Sequence, residues 1–382
     1  MPAKVPPPRG TAFVNGSWFD GERFVARTMY VVDGRFANPP VDTTVTVDLN
    51  GGFVVPPFAE AHDHNVDEND PPALVYRYLS AGVFYAKNPD NLPKTRRALA
   101  ILNRPQSLDA TFANGGFTAP GGHPIGVVRR NIERGGMTEA DGDGAFYYGV
   151  DSEAAIARVW PGFLATSPDF VKAYLLYAEE FAARAKDPRF EGWRGLDPTL
   201  LPRLVERAHA ARLRVVVHVE TATDFHHAVA AGADEIAHTP GFRPDEAGGL
   251  KAASVYLIRD ADAAAAARLG VVVITTLGGM ARAEGALREQ ARAIAIANLT
   301  MLKCNGVTIG IGSDSYRGSV VDEARYCERS ACSPTPSCCG CGRAPRRRRS
   351  SRRASSDGSS PATRRASSSS PRTRSSTSRR SS

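Results

Sequence analysis

"VVVHVETATDFHHAVAAGADEIAHTPG", residues 215–241, sets two short apolar runs on either side of an amphipathic stretch. The first run, "VVVHV", is apolar except for His218, and the second, "EIAH", closes on His238. Strands buried on both faces of a parallel sheet read as continuous β-branched runs of this kind. The intervening "DFHHAVAAGA" has helical spacing and stops at a glycine, as a crossover helix does. The stretch therefore reads as strand, helix, parallel strand, with a histidine at the C-terminal end of each strand.

The same pattern extends in both directions. Strands are expected over 53–61, 82–87, 110–116, 170–176, 214–219, 235–238, 271–276 and 308–312, with "LPRLVERAHAARL" and "ADAAAAARLG" as further crossover helices. Eight such units predict an α/β fold of the (β/α)8 TIM-barrel type over residues 53–326. The Gly-rich segment 115–145 is expected as a long loop over the barrel mouth. Before the barrel, "FVNGSWFDGERFV", "MYVVDGRF" and "TTVTVDL" alternate apolar and polar residues between turn signals. They predict short antiparallel strands, an incomplete β-sandwich module over 1–52.

Composition bounds the alternatives. The 382 residues are 42% hydrophobic and 23% charged, enough for a large core. No apolar run approaches the roughly 20 residues that span a bilayer, and "MPAKVPPPRG" has no apolar signal region. A cytoplasmic location is expected, or a secreted one if a signal peptide precedes this start. The net charge of +8 is not evenly spread. Residues 327–382 hold fourteen Arg against Glu328 and Asp357, a net of +12, which leaves −4 for residues 1–326. Five of the six cysteines also lie there, and Cys304 alone lies before it, so no disulfide framework holds the main body. Residues 327–382 lack Val, Leu, Ile, Phe, Met, Tyr and Trp and are expected to be disordered.

Catalytic groups of a βα barrel gather at the C-terminal ends of its strands. "FAEAHDHN" (58–65) places His62 and His64 at the end of strand one, on one side of an extended chain. Lys172 lies in strand four, His218 ends strand five, His238 ends strand six, and Asp314 follows strand eight in "IGIGSDS". Six ligand-type side chains thus converge on one rim. His123, in the segment after strand three, and Asn88, after strand two, are candidates for substrate contact, with Lys87 a lesser one. His209, His226 and His227 fall on helices and read as surface or packing residues.

On "EAHDH", "DFVKAYLL", "VVVHVETATDFHHAVAAGADEIAHTPG" and "IGSDSY", residues 11–326 resemble the amidohydrolase superfamily of metal-dependent hydrolases, most of all its imidazolonepropionase and prolidase-like branches. The resemblance implies two divalent ions, usually Zn2+, with His62 and His64 on the more buried ion and His218 and His238 on the other. It implies that Lys172 adds CO2 to become a bridging carbamate, and that Asp314 binds metal and moves the proton. Neutral imidazole suits zinc, whereas an ammonium has no lone pair, so only a neutral, carboxylated lysine can serve. Glu220 invites comparison with mononuclear deaminases, but Lys172 fills a bridge that those enzymes do not need.

The implied activity is hydrolysis of a C–N bond, amide or cyclic amide, in a small-molecule substrate. A lactonase, dipeptidase or deaminase on the same metal site is the alternative. Neither nucleic acid nor membrane is expected as a partner of the barrel, and a homo-oligomer is compatible with it. A different class, a nucleic-acid-binding protein, rests on the Arg/Ser tail alone. The tail cysteines lack paired C-x2-C spacing. Arg, Ser, Pro, Ala and Cys dominate GC-rich coding sequence read out of register, so a frameshift near residue 327 is expected, with loss of the helix after strand eight and of the strands that complete the N-terminal module.

Overall fold

The computed structural model describes residues 8–64, 66, 70–243, 251–315 and 319–329. Seven short strands come first: β1 (Arg9–Val14), β2 (Ser17–Phe19), β3 (Phe24–Ala26), β4 (Met29–Val32), β5 (Arg35–Ala37), β6 (Asp42–Asp48) and β7 (Phe53–Val54). They form a four-stranded sheet in the order β5-β4-β1-β6 and a three-stranded sheet in the order β3-β2-β7. Trp18 meets Phe13 and Phe36 edge to face between them. The expected antiparallel pairing holds for β1 with β4, β4 with β5 and β2 with β3, but β6 and β7 pair parallel with β1 and β2. Alternation in a sequence marks a strand with one wet face; it carries no direction.

Ten parallel strands follow: β8 (Phe58–Glu60), β9 (Val83–Asn88), β10 (Asp109–Phe112), β11 (Gly116–Thr118), β12 (Tyr147–Gly149), β13 (Phe170–Tyr174), β14 (Arg214–His218), β15 (Glu235–Ala237), β16 (Val272–Ile274) and β17 (Thr308–Gly310). They make sheets in the orders β10-β9-β8 and β12-β11-β13-β14-β15-β16-β17. Backbone bonds also join the two sheets. Asp169 N donates to Phe112 O at 2.9 Å, and on the other side Ala61 N donates to Ile311 O at 3.1 Å and Asp314 N to His62 O at 2.9 Å.

Two expected strands are split. Residues 53–61 break at Pro56 and Pro57, which cannot donate to a ladder, so Phe53–Val54 joins the N-terminal sheets and Phe58–Glu60 the parallel one. Strand three breaks between β10 and β11, where Asn114 and Gly115 have φ of 57° and 100°. The segment 115–145 is no simple loop, because Ile125–Glu133 is a helix. Its apolar positions Ile125, Val128 and Ile132 repeat at helical spacing, masked in the sequence by the glycines and prolines before them.

Helices Leu201–Ala210, Ala222–Ala230, Asp260–Leu269 and Gly285–Cys304 separate the later strands. In the first, Leu201, Leu204, Val205 and Ala208 are buried, the i, i+3, i+4, i+7 stripe of a helix facing a sheet. Each leucine so placed contributes about 1.5–3 kcal/mol of burial. The second starts on a capping box in which the Thr221 hydroxyl accepts from Asp224 N and the Asp224 carboxylate accepts from Thr221 N. A ten-residue helix, Val320–Arg329, follows β17 with Val320, Glu323 and Cys327 buried. The helix expected to be lost is therefore present, and the main body runs past the expected boundary at 327. Cys327 packs against the Leu277 and Met280 side, and a small thiol needs no classical hydrophobe to be buried. Residues 330–382, and with them the expectations of disorder, frameshift and nucleic-acid binding, lie outside the described residues. Among the described residues no helix is long and apolar enough to cross a membrane.

Candidate active site

The loops that leave the C-terminal ends of the parallel strands border a small cavity of about 20 Å³ lined by His62, His64, Lys172, His218, His238 and Asp314. All six ligand-type residues expected from the sequence are thus brought together. His123 also lines the cavity, its ring 5.2 Å from that of His218 and 5.2 Å from that of Tyr174. Asn88 does not. Its amide donates to Val66 O and its oxygen accepts from Asp90 N, so it shapes the turn after β9. Lys87 points elsewhere, to Glu235 at 2.5 Å.

His62, His64 and Asp314 form a tight group whose candidate ligand atoms all lie within 4.8 Å of one another. Asp314 Oδ1 is 2.9 Å from His64 Nε2 and 3.3 Å from His62 Nε2. His62 Nδ1 is buried with no hydrogen-bond partner. A buried imidazole nitrogen without a partner is costly, and His62 Nε2, on the other side of the ring, is the atom that faces Asp314 and His64. On the other wall, His218 Nε2 lies 2.9 Å from Glu220 Oε1. A carboxylate accepts, so Nε2 carries the hydrogen and Nδ1 keeps its lone pair toward the cavity. His238 Nδ1 meets the Thr276 hydroxyl at 2.7 Å, which leaves Nε2 for the cavity. Outer contacts of this kind set the tautomer and aim of a metal-binding histidine. The donor set, four imidazoles with one carboxylate and one buried lysine, fits divalent ions.

Electrostatics point the same way. Burial pulls His62 down to about 3, helped by Lys172 nearby, and holds His123, His218 and His238 well below the usual histidine range. These rings are neutral at pH 7, the form that donates to a metal. Burial lowers Lys172 to about 8, against the pull of Asp90 and Asp314. Burial alone would raise Asp314, but Arg243 and the histidines around it win and keep it well below the usual carboxylate range. Both His238 (φ 78°) and Asp314 (φ 50°) sit in left-handed backbone, as does Thr276 (φ 76°), which holds His238. Strained backbone of this kind gathers at functional sites.

Three polar lining residues escaped the sequence reading. Tyr174 lies two residues after Lys172 on the same strand face, so the period-two rule could have found it. Its hydroxyl donates to Asp90 Oδ1 at 2.9 Å. Asp90 sits at the end of strand two in "NPDN", and burial raises it to about 6. Arg243, five residues beyond His238, gave no periodic or motif signal; its Nη2 donates to Asp314 Oδ2 at 3.0 Å.

No protein-family model and no curated protein sequence matches the chain. Its fold is similar to several solved structures. One is an amidohydrolase, with a TM-score of 0.61 at 18% identity over 84% of this chain and 82% of that one. The ochratoxinase of A. niger gives 0.59 at 15% identity over 86% and 82%. A Xaa-Pro dipeptidase with bound methionine gives 0.58 at 15% identity over 84% of each chain. The resemblance drawn from the sequence is therefore matched by the fold.

Proposed function

We propose that this chain is a metal-dependent hydrolase of the amidohydrolase type that cleaves a C–N bond, amide or cyclic amide, at the mouth of a (β/α)8 barrel. The barrel reading is supported by the parallel strand order and by the backbone bonds that join the two sheets. The observation that carries the function is the convergence of four neutral-leaning or metal-spaced histidines, a buried lysine and an aspartate in one cavity. His62, His64 and Asp314 would hold one divalent ion, and His218 and His238 a second. Such ions polarise a scissile carbonyl and lower the pKa of water in the site.

The side chains supply the rest. Lys172, lowered to about 8 by burial, would add CO2 through its neutral amine, its Nζ bonding to the carbon as a proton is released, and the resulting anionic carbamate would help to hold the ions. Asp314 is placed to take a proton from the attacking water and return it to the departing nitrogen. Water thereby adds to the carbonyl carbon, the C–N bond breaks, and acid and amine leave. His123, neutral and facing His218 across the cavity, is placed to donate to a carbonyl oxygen. A lactonase, dipeptidase or deaminase would use the same groups. The test is metal analysis of the purified protein together with a panel of amides, dipeptides and lactones. About two divalent ions per chain, with turnover of amides, is the expected result. A metal content unchanged when His62 and His64 are both replaced would overturn the assignment.

A further inference from the structure

The inside of a closed parallel barrel is normally filled by layers of bulky, branched side chains. Here small residues take several of those places: Ala59 and Ala61 in and just after β8, Ala86 on β9, Ala110 on β10 and Gly310 on β17. They border a cavity of about 360 Å³, a volume in the range that holds small organic ligands. It shares no lining residue with the candidate active site. Arg214, Glu235 and Asp109, the first residues of β14, β15 and β10, also border it, so it lies at the end of the strands opposite His218 and His238.

One wall holds an incomplete polar group. Glu60 lines the cavity and is 1% exposed. Its Oε1 accepts from Ser313 N at 2.8 Å, while its Oε2 is buried without a hydrogen-bond partner among the described residues. Such a deficit is rare, and a ligand hydroxyl, which both donates and accepts, meets it. Around it the walls are apolar, Val272 and Ile274 with the alanines, and Tyr85 stands at 48% exposure. These surfaces suit a flat ring. The mouth carries both signs of charge. Lys87 is already turned to Glu235 at 2.5 Å and lies over the Phe170 ring at 4.7 Å. Arg214 reaches Glu235 only at 3.4 Å with its side chain 56% exposed, and Asp109 is exposed. Arg214 is thus open to a carboxylate, and Asp109 to an ammonium.

We propose that this cavity is a second binding site, for a small phenol with a zwitterionic tail, its hydroxyl on Glu60 Oε2, its ring among the alanines and its carboxylate on Arg214. The site stands whether or not the hydrolase reading holds. Ligand-observed NMR titrations of zinc-loaded full-length protein compare tyrosine with phenylalanine, which lacks the hydroxyl, and with tyramine, which lacks the carboxylate. The native protein should bind tyrosine about tenfold more tightly than either. Arg214→Gln should abolish the preference over tyramine and keep the preference over phenylalanine. Thr111→Trp, which sets a bulky ring against the cavity from an exposed position on β10, should remove tyrosine binding. If Thr111→Trp does not fold, the two ratios in Arg214→Gln still decide. Binding through the zinc ions would treat tyrosine and phenylalanine alike and survive both substitutions, and that result overturns the proposal. So does the absence of saturable tyrosine binding, the outcome if water alone fills the cavity.

Discussion

Strands β14 and β6 are both valine-bearing, and they end in opposite environments. In β14, Val215, Val216 and Val217 are at most 1% exposed, whereas in β6 every residue is exposed and Val45 reaches 52%. The difference lies in the neighbours. β14 has β13 on one side, β15 on the other and helices over it, while among the described residues β6 is an edge strand paired with β1 alone. β-branched side chains favour a strand without deciding its burial. Enclosure also acts on the polar residue that β14 carries, since the burial that hides Val217 is what holds His218 neutral. The enclosed strand can do chemistry, and the open one cannot.

The largest expected effect lies at the enclosed end. Lys172→Ala should reduce activity by more than the roughly hundredfold typical of outer contacts, and a short carboxylic acid added to the assay should restore part of it. Normal turnover without rescue would place Lys172 in the core rather than in the chemistry. Next comes packing. Leu204→Ala, in the cluster beneath β14, should cost about 2–5 kcal/mol in denaturant unfolding, and Val45→Ala less than about 0.5 kcal/mol. Similar costs at the two positions would break the contrast.

A third prediction concerns pH. Burial, with Asp63 adding to it, pushes Glu60 up to about 8. Its Oε1 accepts from Ser313 N and its Oε2 is buried without a partner. The folded state therefore keeps a proton that the unfolded chain releases above 4.5, so the contribution of Glu60 is full below pH 4.5 and is lost as pH rises through 8. Glu60→Gln should flatten the pH dependence of stability in that window by up to about 1.4 kcal/mol per pH unit; parallel curves for the two proteins would show that Glu60 does not titrate there. The smallest effect belongs to Val45→Lys, which should leave stability nearly unchanged and raise soluble yield by guarding a bare edge. Equal yields would mean that β6 is already protected.

Long apolar runs and terminal histidines made most of the fold and six site residues legible in the sequence. The strand alternation that placed His62, Lys172 and His218 is local, and local rules survive folding. What failed was non-local. The parallel pairing of β6 with β1 depends on residues 33 or 34 positions apart, and in the helix Val320–Arg329 the burial of Cys327 is owed to Leu277 and Met280 and that of Val320 to a second cluster, rather than to the helix's own composition. Arg243 was invisible because a turn, and no periodic pattern, carries it to Asp314.

The left-handed backbone at His238, Thr276 and Asp314 has an evolutionary side. Glycine adopts such a conformation at lower cost than threonine or aspartate does, so replacing Thr276 or Asp314 by glycine would relax the main chain as it removed the side chain proposed to work there. Descendants that lose the chemistry would pay no folding penalty there and could gain stability. Among proteins of this shape, then, inactive branches should arise readily at these positions, and a search for them should begin with glycine where Asp314 stands.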